Sequence, residues 1–166
     1  MTRSLLTVLS LCATLFAQTV PTPQFPKVGG LAPAFAFRAV VEGDRPLAGL
    51  TPEALRGRVV VLDFFATWCA PCVAAIPRTN ALVTEFQSDP VTFLAVTNEP
   101  RAVLETFVAA DPMRAELVLD DGDTTYGNYW VRSLPFVVII DPGGRIRAFA
   151  SPETLSAEQI RGVLKG

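Results

Sequence analysis

Residues 59–65 form a continuous hydrophobic run, Val-Val-Val-Leu-Asp-Phe-Phe, that only Asp63 interrupts. A strand in the middle of a sheet has this pattern when both of its faces are covered, because neither face meets water. We therefore predict a central buried strand here. The run ends four residues before Cys69, so the strand leads directly to that cysteine and to Cys72.

After Cys69 the apolar positions change to helical spacing. Cys72, Ile76 and Val83 are separated by four and seven residues, which places them on one face of an α-helix. The pattern predicts a long helix that ends near residue 87. Pro77 lies inside it and predicts a kink.

The rest of the chain alternates between strand and helix patterns. Ser156, with Gln159 three residues later, forms a capping-box signal for the last helix. Strands are predicted at residues 34–40, 91–97, 116–119, 136–140 and 146–150. Helices are predicted at residues 51–55, 100–110, 123–129 and 157–164, with a tight turn at 141–144. This alternation predicts an α/β fold, a sandwich with a mixed central sheet flanked by helices.

The first 30 residues differ in composition from the rest. Residues 1–17 combine one cation, Arg3, with an apolar run, which is typical of a signal peptide; an uncleaved membrane anchor is the alternative. Residues 18–30 hold three prolines and end in a glycine pair, so we expect an extended linker. The domain is then predicted at residues 31–166. Export would place it where disulfides form and persist.

The composition excludes several kinds of site. The 166 residues contain no histidine and three cysteines, so Ser-His-Asp and Cys-His catalysis and histidine-ligated metal sites are ruled out. Cys12 lies in the predicted signal peptide, which leaves the domain two ligands short of a tetrahedral zinc site. We predict no metal and no cofactor. The 14 basic and 16 acidic residues form no long run and give no reason to propose nucleic acid as a partner.

Cys69 and Cys72 lie at the predicted junction of strand and helix. Disulfide exchange needs one thiolate that attacks and a second thiol that releases the mixed disulfide. At the start of a helix, Cys69 would face free N–H groups and the positive end of the helix dipole, which lower the pKa of a thiol. Cys72, one turn later, would be more buried. We predict catalytic roles for both; a purely structural disulfide is the alternative, although its two-residue loop would constrain little of the chain.

The segment from Val59 to Cys72 resembles the active-site strand and helix of the thioredoxin superfamily. Within it, the chain is most similar to the exported TlpA/ResA type over residues 31–164, with further landmarks at residues 32–35, 55–60 and 131–135. The resemblance implies a thioredoxin-like sandwich with added N-terminal strands and a strand-helix insertion. It also implies an extracytoplasmic thiol-disulfide oxidoreductase.

The resemblance implies roles for further residues. Pro135 would follow a cis peptide bond and present the backbone of Leu134 to an extended substrate segment. Asp63 matches a buried acid of thioredoxin and would accept the proton of Cys72, with its pKa raised by desolvation. Ala95 replaces a neighbouring lysine of thioredoxin, and the alternative role for Asp63 is an ion pair with a cation. The implied substrate-binding residues are Trp68, Pro71, Leu134, Pro135 and Phe136.

Some positions depart from the TlpA/ResA pattern. Ala75 stands where that type usually carries a glutamate, which weakens an inference of cytochrome c maturation. Phe136 stands where a threonine is common, and it would either contact a hydrophobic partner or pack inward. Ala70 and Pro71 offer no side-chain donor that would stabilise a thiolate. We therefore predict a reductant of protein disulfides or a role that supports disulfide isomerisation.

Two other functions remain as alternatives. A non-catalytic binding module of this fold need not keep both cysteines, Trp68 and Pro135 together. A thiol peroxidase would share the Ala-Pro-x-Phe opening, but its proline and threonine signature before the reactive cysteine is missing. The expected partners are protein thiols and disulfides, with a membrane thiol reductase upstream. Membrane contact is expected only if the N-terminal segment is the alternative, an uncleaved anchor.

Overall fold

The structure is a computed structural model that describes residues 25–41 and 46–166. The predicted signal peptide with Cys12, and residues 18–24 of the predicted linker, lie outside the described residues.

Strands and helices alternate along the described residues much as the sequence pattern predicts. The strands are β1 Phe37–Val40, β2 Val59–Phe64, β3 Val91–Thr97, β4 Glu116–Asp120, β5 Phe136–Ile140 and β6 Ile146–Ala150. The helices are α1 Ala70–Glu85, α2 Arg101–Ala110, α3 Thr124–Asn128 and α4 Ala157–Leu164, with a short 3-10 helix at Leu47–Gly49.

The six strands form one mixed sheet in the order β1-β4-β3-β2-β5-β6. β2, β3 and β4 are parallel, because α1 and α2 supply the long crossovers that parallel neighbours need. β1, β5 and β6 run antiparallel to their neighbours. The predicted α/β fold with a mixed sheet is confirmed. Because β2 is a central strand, the loop that follows its carboxyl end lies between neighbouring strands and not at the side of the sheet.

Both faces of the sheet are covered. The side chains of β2 alternate between them: Val59 and Val61 point to one face, Val60 and Leu62 to the other, and none is more than 3% exposed. The first face packs against residues of α1, α2 and α4, among them Ile76, Leu104 and Ile160. The second face packs against Phe35, Leu50, Leu55 and Tyr129.

The predicted helix at residues 51–55 is wrong. Thr51 caps a single turn, with its Oγ1 accepting from the Ala54 N–H at 3.2 Å and its carbonyl accepting from the Leu55 N–H at 3.0 Å. Gly57, at φ +83°, then turns the chain away, and its N–H donates to the Pro142 carbonyl at 2.9 Å. Because β2 starts two residues later, a second turn cannot form. One turn alone does not offset the cost of helix nucleation.

The described end of the predicted linker contacts the β5–β6 hairpin. The Gly29 N–H donates to the Ile146 carbonyl at 2.7 Å, and the Ile146 N–H donates to the Gly30 carbonyl at 2.9 Å. Leu31 forms an isolated bridge with Arg145. β1 and this bridge are the N-terminal strand pairings of the described chain. A domain boundary at residue 31 stays a prediction.

The helices of the described ranges do not include one that combines the length and the apolar character needed to cross a bilayer.

The capping box predicted for the last helix is confirmed. Ser156 Oγ accepts from the Gln159 N–H at 3.3 Å, and Gln159 Oε1 accepts from the Ser156 N–H at 2.8 Å. We expect Ser156→Ala to lower the free energy of unfolding, measured with urea, by about 1 kcal/mol, because the first turn of α4 loses an acceptor. Ser156→Thr keeps the hydroxyl and is the matched control; an equal loss in both variants would contradict the capping role.

Candidate functional site

Cys69 is the residue before the first turn of α1. Its backbone is extended (φ −84°, ψ 91°), and its carbonyl accepts from the Val73 N–H at 3.0 Å. Pro71 lies in the first helical turn, where a missing N–H removes no helical hydrogen bond. The buried strand β2 and the 16-residue helix α1 therefore hold Cys69 at the positive end of a helix dipole.

Cys69 and Cys72 are joined by a disulfide, with their Cα atoms 5.2 Å apart. Each residue is 4% exposed, so the expected deeper burial of Cys72 is not found. Both residues belong to the same core cluster. Trp68, directly before the pair, is 75% exposed and is therefore open to a partner.

Asp63 lies on the face of β2 that packs against α1, the face to which both cysteines belong. It is 8% exposed, and its Oδ1 is buried without a hydrogen-bond partner. Burial, with a smaller contribution from the negative charge of Glu153, raises the pKa of Asp63 to about 7. No cation within the described ranges pairs with Asp63. Ala95 is its register partner on β3. A methyl group therefore lies beside Asp63 at the position that the sequence analysis matched to a lysine of thioredoxin.

The predicted cis peptide bond between Leu134 and Pro135 is confirmed. Phe136 is the register partner of Phe64 across the antiparallel pair β2 and β5. Pro135, the residue before β5, therefore lies at the end of the sheet where the chain leaves β2 toward Cys69.

Phe136 is half-buried. Its ring centroid is 5.9 Å from that of Phe64 and 5.7 Å from that of Phe149. Of the two expectations for this side chain, inward packing is the one that its contacts support. Phe149 itself is 38% exposed, so the aromatic pair still reaches the surface.

Ala75 is 6% exposed on α1, one turn after Cys72. A carboxylate at this position would be buried, whereas the alanine adds no charge beside the pair.

Glu99 and Tyr126 hold the loop before the cysteines by hydrogen bonds. Neither residue was among the candidates predicted from the sequence. Glu99 accepts hydrogen bonds from the backbone N–H and the hydroxyl of Thr67, both at 2.7 Å. The Tyr126 hydroxyl lies 3.1 Å from the Phe65 carbonyl and 3.2 Å from the Val96 carbonyl. Burial and neighbouring carboxylates raise the pKa of Tyr126, so this hydroxyl stays a donor.

Strand register was the signal that could have found Glu99. Phe64 pairs with Val96 in the parallel ladder, and Thr67 and Glu99 each lie three residues after their member of this pair. An acid just after β3 is therefore expected beside the loop that follows β2.

The arrangement has the parts that dithiol-disulfide chemistry needs. A cysteine at a helix N-terminus can be stabilised as a thiolate, a second cysteine is within bonding distance of it, and a buried acid with a pKa near neutrality can take up a proton. The exposed Trp68 and the cis proline lie on the loops around the pair.

Comparisons with known proteins agree with this geometry. A family model described as AhpC/TSA matches residues 28–149. The thiol-disulfide oxidoreductase ResA of Geobacillus thermodenitrificans (strain NG80-2) is 29% identical over 158 residues, 95% of this chain and 87% of the relative. ResA of Geobacillus kaustophilus (strain HTA426) is 30% identical over 134 residues, 80% of this chain and 74% of the relative.

A solved structure gives the same picture of the fold. A crystal structure from Chlorobium tepidum, described as a candidate thiol:disulfide interchange protein DsbE, superposes with a TM-score of 0.72 at 25% identity. It covers 84% of this chain and 99% of that chain.

Proposed function

Because the chain belongs to the AhpC/TSA family and is a thiol-disulfide oxidoreductase of the ResA type, we propose that it works outside the cytoplasm as a reductant of protein disulfides. The observation that carries the proposal is the disulfide between Cys69, at the start of α1, and Cys72, on the core face that holds the buried Asp63. The family and the named relatives favour exchange over a non-catalytic binding module.

In the first step, the Cys69 thiolate attacks one sulfur of the partner's disulfide. A bond forms between Cys69 Sγ and that sulfur, and the partner's second sulfur leaves as a thiolate that takes a proton. The N–H groups at the start of α1 stabilise the attacking thiolate.

In the second step, Cys72 releases the partner. Its thiol loses a proton to Asp63, and the resulting thiolate attacks Cys69 Sγ. The Cys69–Cys72 disulfide forms as the partner's remaining sulfur leaves, so two electrons have passed to the partner. With a pKa of about 7, Asp63 is partly ionised near neutral pH. Its ionised form can therefore accept the proton of Cys72.

The partner segment is proposed to dock beside the cis proline. Leu134 would offer its backbone to an extended segment in the manner of strand addition. The exposed indole of Trp68, with Pro71, would supply the apolar surface around the attacked bond.

The extracytoplasmic location rests on the apolar N-terminal segment, which precedes the described residues. Outside the cytoplasm an oxidised pair needs a source of electrons, so we propose a membrane thiol reductase upstream. Protein thiols and disulfides are the substrates that the oxidoreductase family implies.

The reduction potential of the Cys69–Cys72 pair tests the proposed direction of electron transfer. Neither Ala70 nor Pro71 offers a donor to a thiolate, so the reduced form gains no extra stabilisation from the intervening side chains. We expect a potential nearer to the roughly −270 mV of thioredoxin than to the roughly −120 mV of the oxidant DsbA. Equilibration with glutathione buffers measures it, and a value at the oxidising end would overturn the reductant assignment.

The partner is found by trapping. Cys72→Ala keeps the attacking thiol but cannot complete the second step, so mixed disulfides should accumulate on Cys69 in the native compartment. The double variant Cys69→Ala, Cys72→Ala is the matched control and should capture nothing. If the single variant captures no more protein than the double variant, a role in protein disulfide exchange fails.

A further inference from the structure

Glu99 connects the end of β3 to the loop that leads to the cysteines. Its Oε2 accepts from the Thr67 N–H and its Oε1 from the Thr67 hydroxyl, both at 2.7 Å. Thr97, fully buried at the end of β3, adds a longer contact from its hydroxyl to Oε2 at 3.4 Å. Both carboxylate oxygens therefore accept a short hydrogen bond from Thr67.

The charge of this carboxylate has no partner cation within residues 25–41 and 46–166. All of its contacts are with neutral donors. A carboxylate charge that no cation neutralises acts on nearby ionisable groups.

Cys69 is the nearest redox-active group along the chain. Thr67 precedes it by two residues, so their Cα atoms are at most about 7.6 Å apart. The same loop is also held before Thr67, where the Tyr126 hydroxyl donates to the Phe65 carbonyl at 3.1 Å. Glu99 thus fixes the loop that presents Cys69, and its negative charge is held on Thr67, two residues before the sulfur that must become negative.

We propose that Glu99 is a positioning residue of the redox site, which orients the loop before Cys69 and, through its charge, disfavours the thiolate form of the pair. The proposal rests on the proposed function of Cys69 and Cys72. A destabilised thiolate destabilises the reduced protein, so the charge biases the protein toward giving up electrons. The segment between β3 and α2 thereby contributes to the potential without touching the substrate.

Glu99→Gln separates charge from geometry. Its amide oxygen can still accept from the Thr67 N–H, and its amide nitrogen can donate to the Thr67 hydroxyl, so the loop stays held while the charge is lost. Glu99→Ala removes both. Glu105→Gln is the matched control, because Glu105 is an exposed acid on α2 that pairs with Arg101 at 3.6 Å and has no contact with the loop.

The experiment measures the potential in glutathione buffers and the turnover with insulin disulfides for the full chain and the three variants. We expect Glu99→Gln to shift the equilibrium toward the reduced protein by about three- to tenfold, a rise of about 15–30 mV, with turnover largely kept. Glu99→Ala should show the same shift and, because the loop is released, a turnover lower by about tenfold or more. Glu105→Gln should match the unmodified protein.

A potential that is unchanged in Glu99→Gln, or that falls, overturns the proposal even if the variant is less stable. The same shift in Glu105→Gln also overturns it, since the effect would then be general surface charge. Failure of the unmodified protein to exchange disulfides would instead remove the proposed function, so the two failures are distinguishable.

Discussion

Replacing Cys69 with alanine is expected to lower the turnover of insulin disulfides by at least about a thousandfold. Cys69 is the residue at the start of α1, and no other thiol of the described chain is free to replace it, since the only other one is Cys72. Cys72→Ala should abolish multiple turnover as well, but it should keep a single round of attack that ends in a stable mixed disulfide.

The third cysteine of the chain provides the control. Cys12→Ala in the full-length protein should leave turnover unchanged, because Cys12 belongs to the predicted export signal. Turnover that survives in Cys69→Ala, or a mixed disulfide that forms on Cys72 in that variant, would reverse the assignment of nucleophile and resolving thiol.

The Asp63→Asn variant is expected to become slower and more stable at the same time. Without a proton acceptor, release of the mixed disulfide at pH 7 should slow by about a hundredfold. The step in the release rate near pH 7, which follows from the pKa of about 7, should disappear. Stopped-flow release of a mixed disulfide preformed on Cys69, followed between pH 5 and 9, measures both effects.

The gain in stability follows from the sign of the same shift. The pKa of Asp63 is about 7 in the folded state and 3.8 for an ordinary aspartate, so between these values the folded state holds a proton that the unfolded state has lost. Stability therefore falls as pH rises through this window and stays at the lower level above it. The loss of stability amounts to roughly 4 kcal/mol. An asparagine carries no charge, so the Asp63→Asn variant should be more stable than the unmodified protein by about this amount at pH 8 but not at pH 4.

Asp120→Asn is the contrasting control. Asp120 is 1% exposed, but its carboxylate accepts from the N–H groups of Thr125 and Tyr126 at 2.8 and 2.9 Å. In Asp120→Asn, the amide NH2 group would replace one of these acceptor oxygens and would point at a backbone N–H. The free energy of unfolding, measured with urea, should therefore fall. If Asp63→Asn shows no gain at pH 8 over pH 4 and releases the partner at the original rate, Asp63 is not the proton acceptor.

Local pattern predicted most of the elements. The predicted bounds of β3, β5 and β6 agree with the structure, and α1, α2 and α4 begin and end within two residues of their predicted limits. These segments have a strong hydrophobic period or a clear cap, and such signals depend only on neighbours in sequence. The helix expected at residues 51–55 failed because Gly57 and the start of β2 limit it to one turn.

The site divided in the same way. Cys69 and Cys72 are close because two residues separate them, and Asp63 stands out because a lone acid in an apolar strand is costly. Glu99 and Tyr126 reach the loop only through the parallel pairing of β2 with β3 and the packing of α3. Neither residue carries a local pattern that marks it.

Four features follow from the amino-acid sequence alone: the cysteine spacing, the buried strand before it, the acid within that strand and the absence of histidine chemistry. Four others depend on the folded chain: Asp63 has no partner within the described chain, Phe136 packs inward, residues 29–30 pair with β6, and Glu99 holds Thr67. The physical reason is the range of the interactions. Periodicity, capping and thiol spacing act within a few residues, whereas hydrogen-bond partners, burial and the resulting pKa depend on segments that meet only when the sheet has formed.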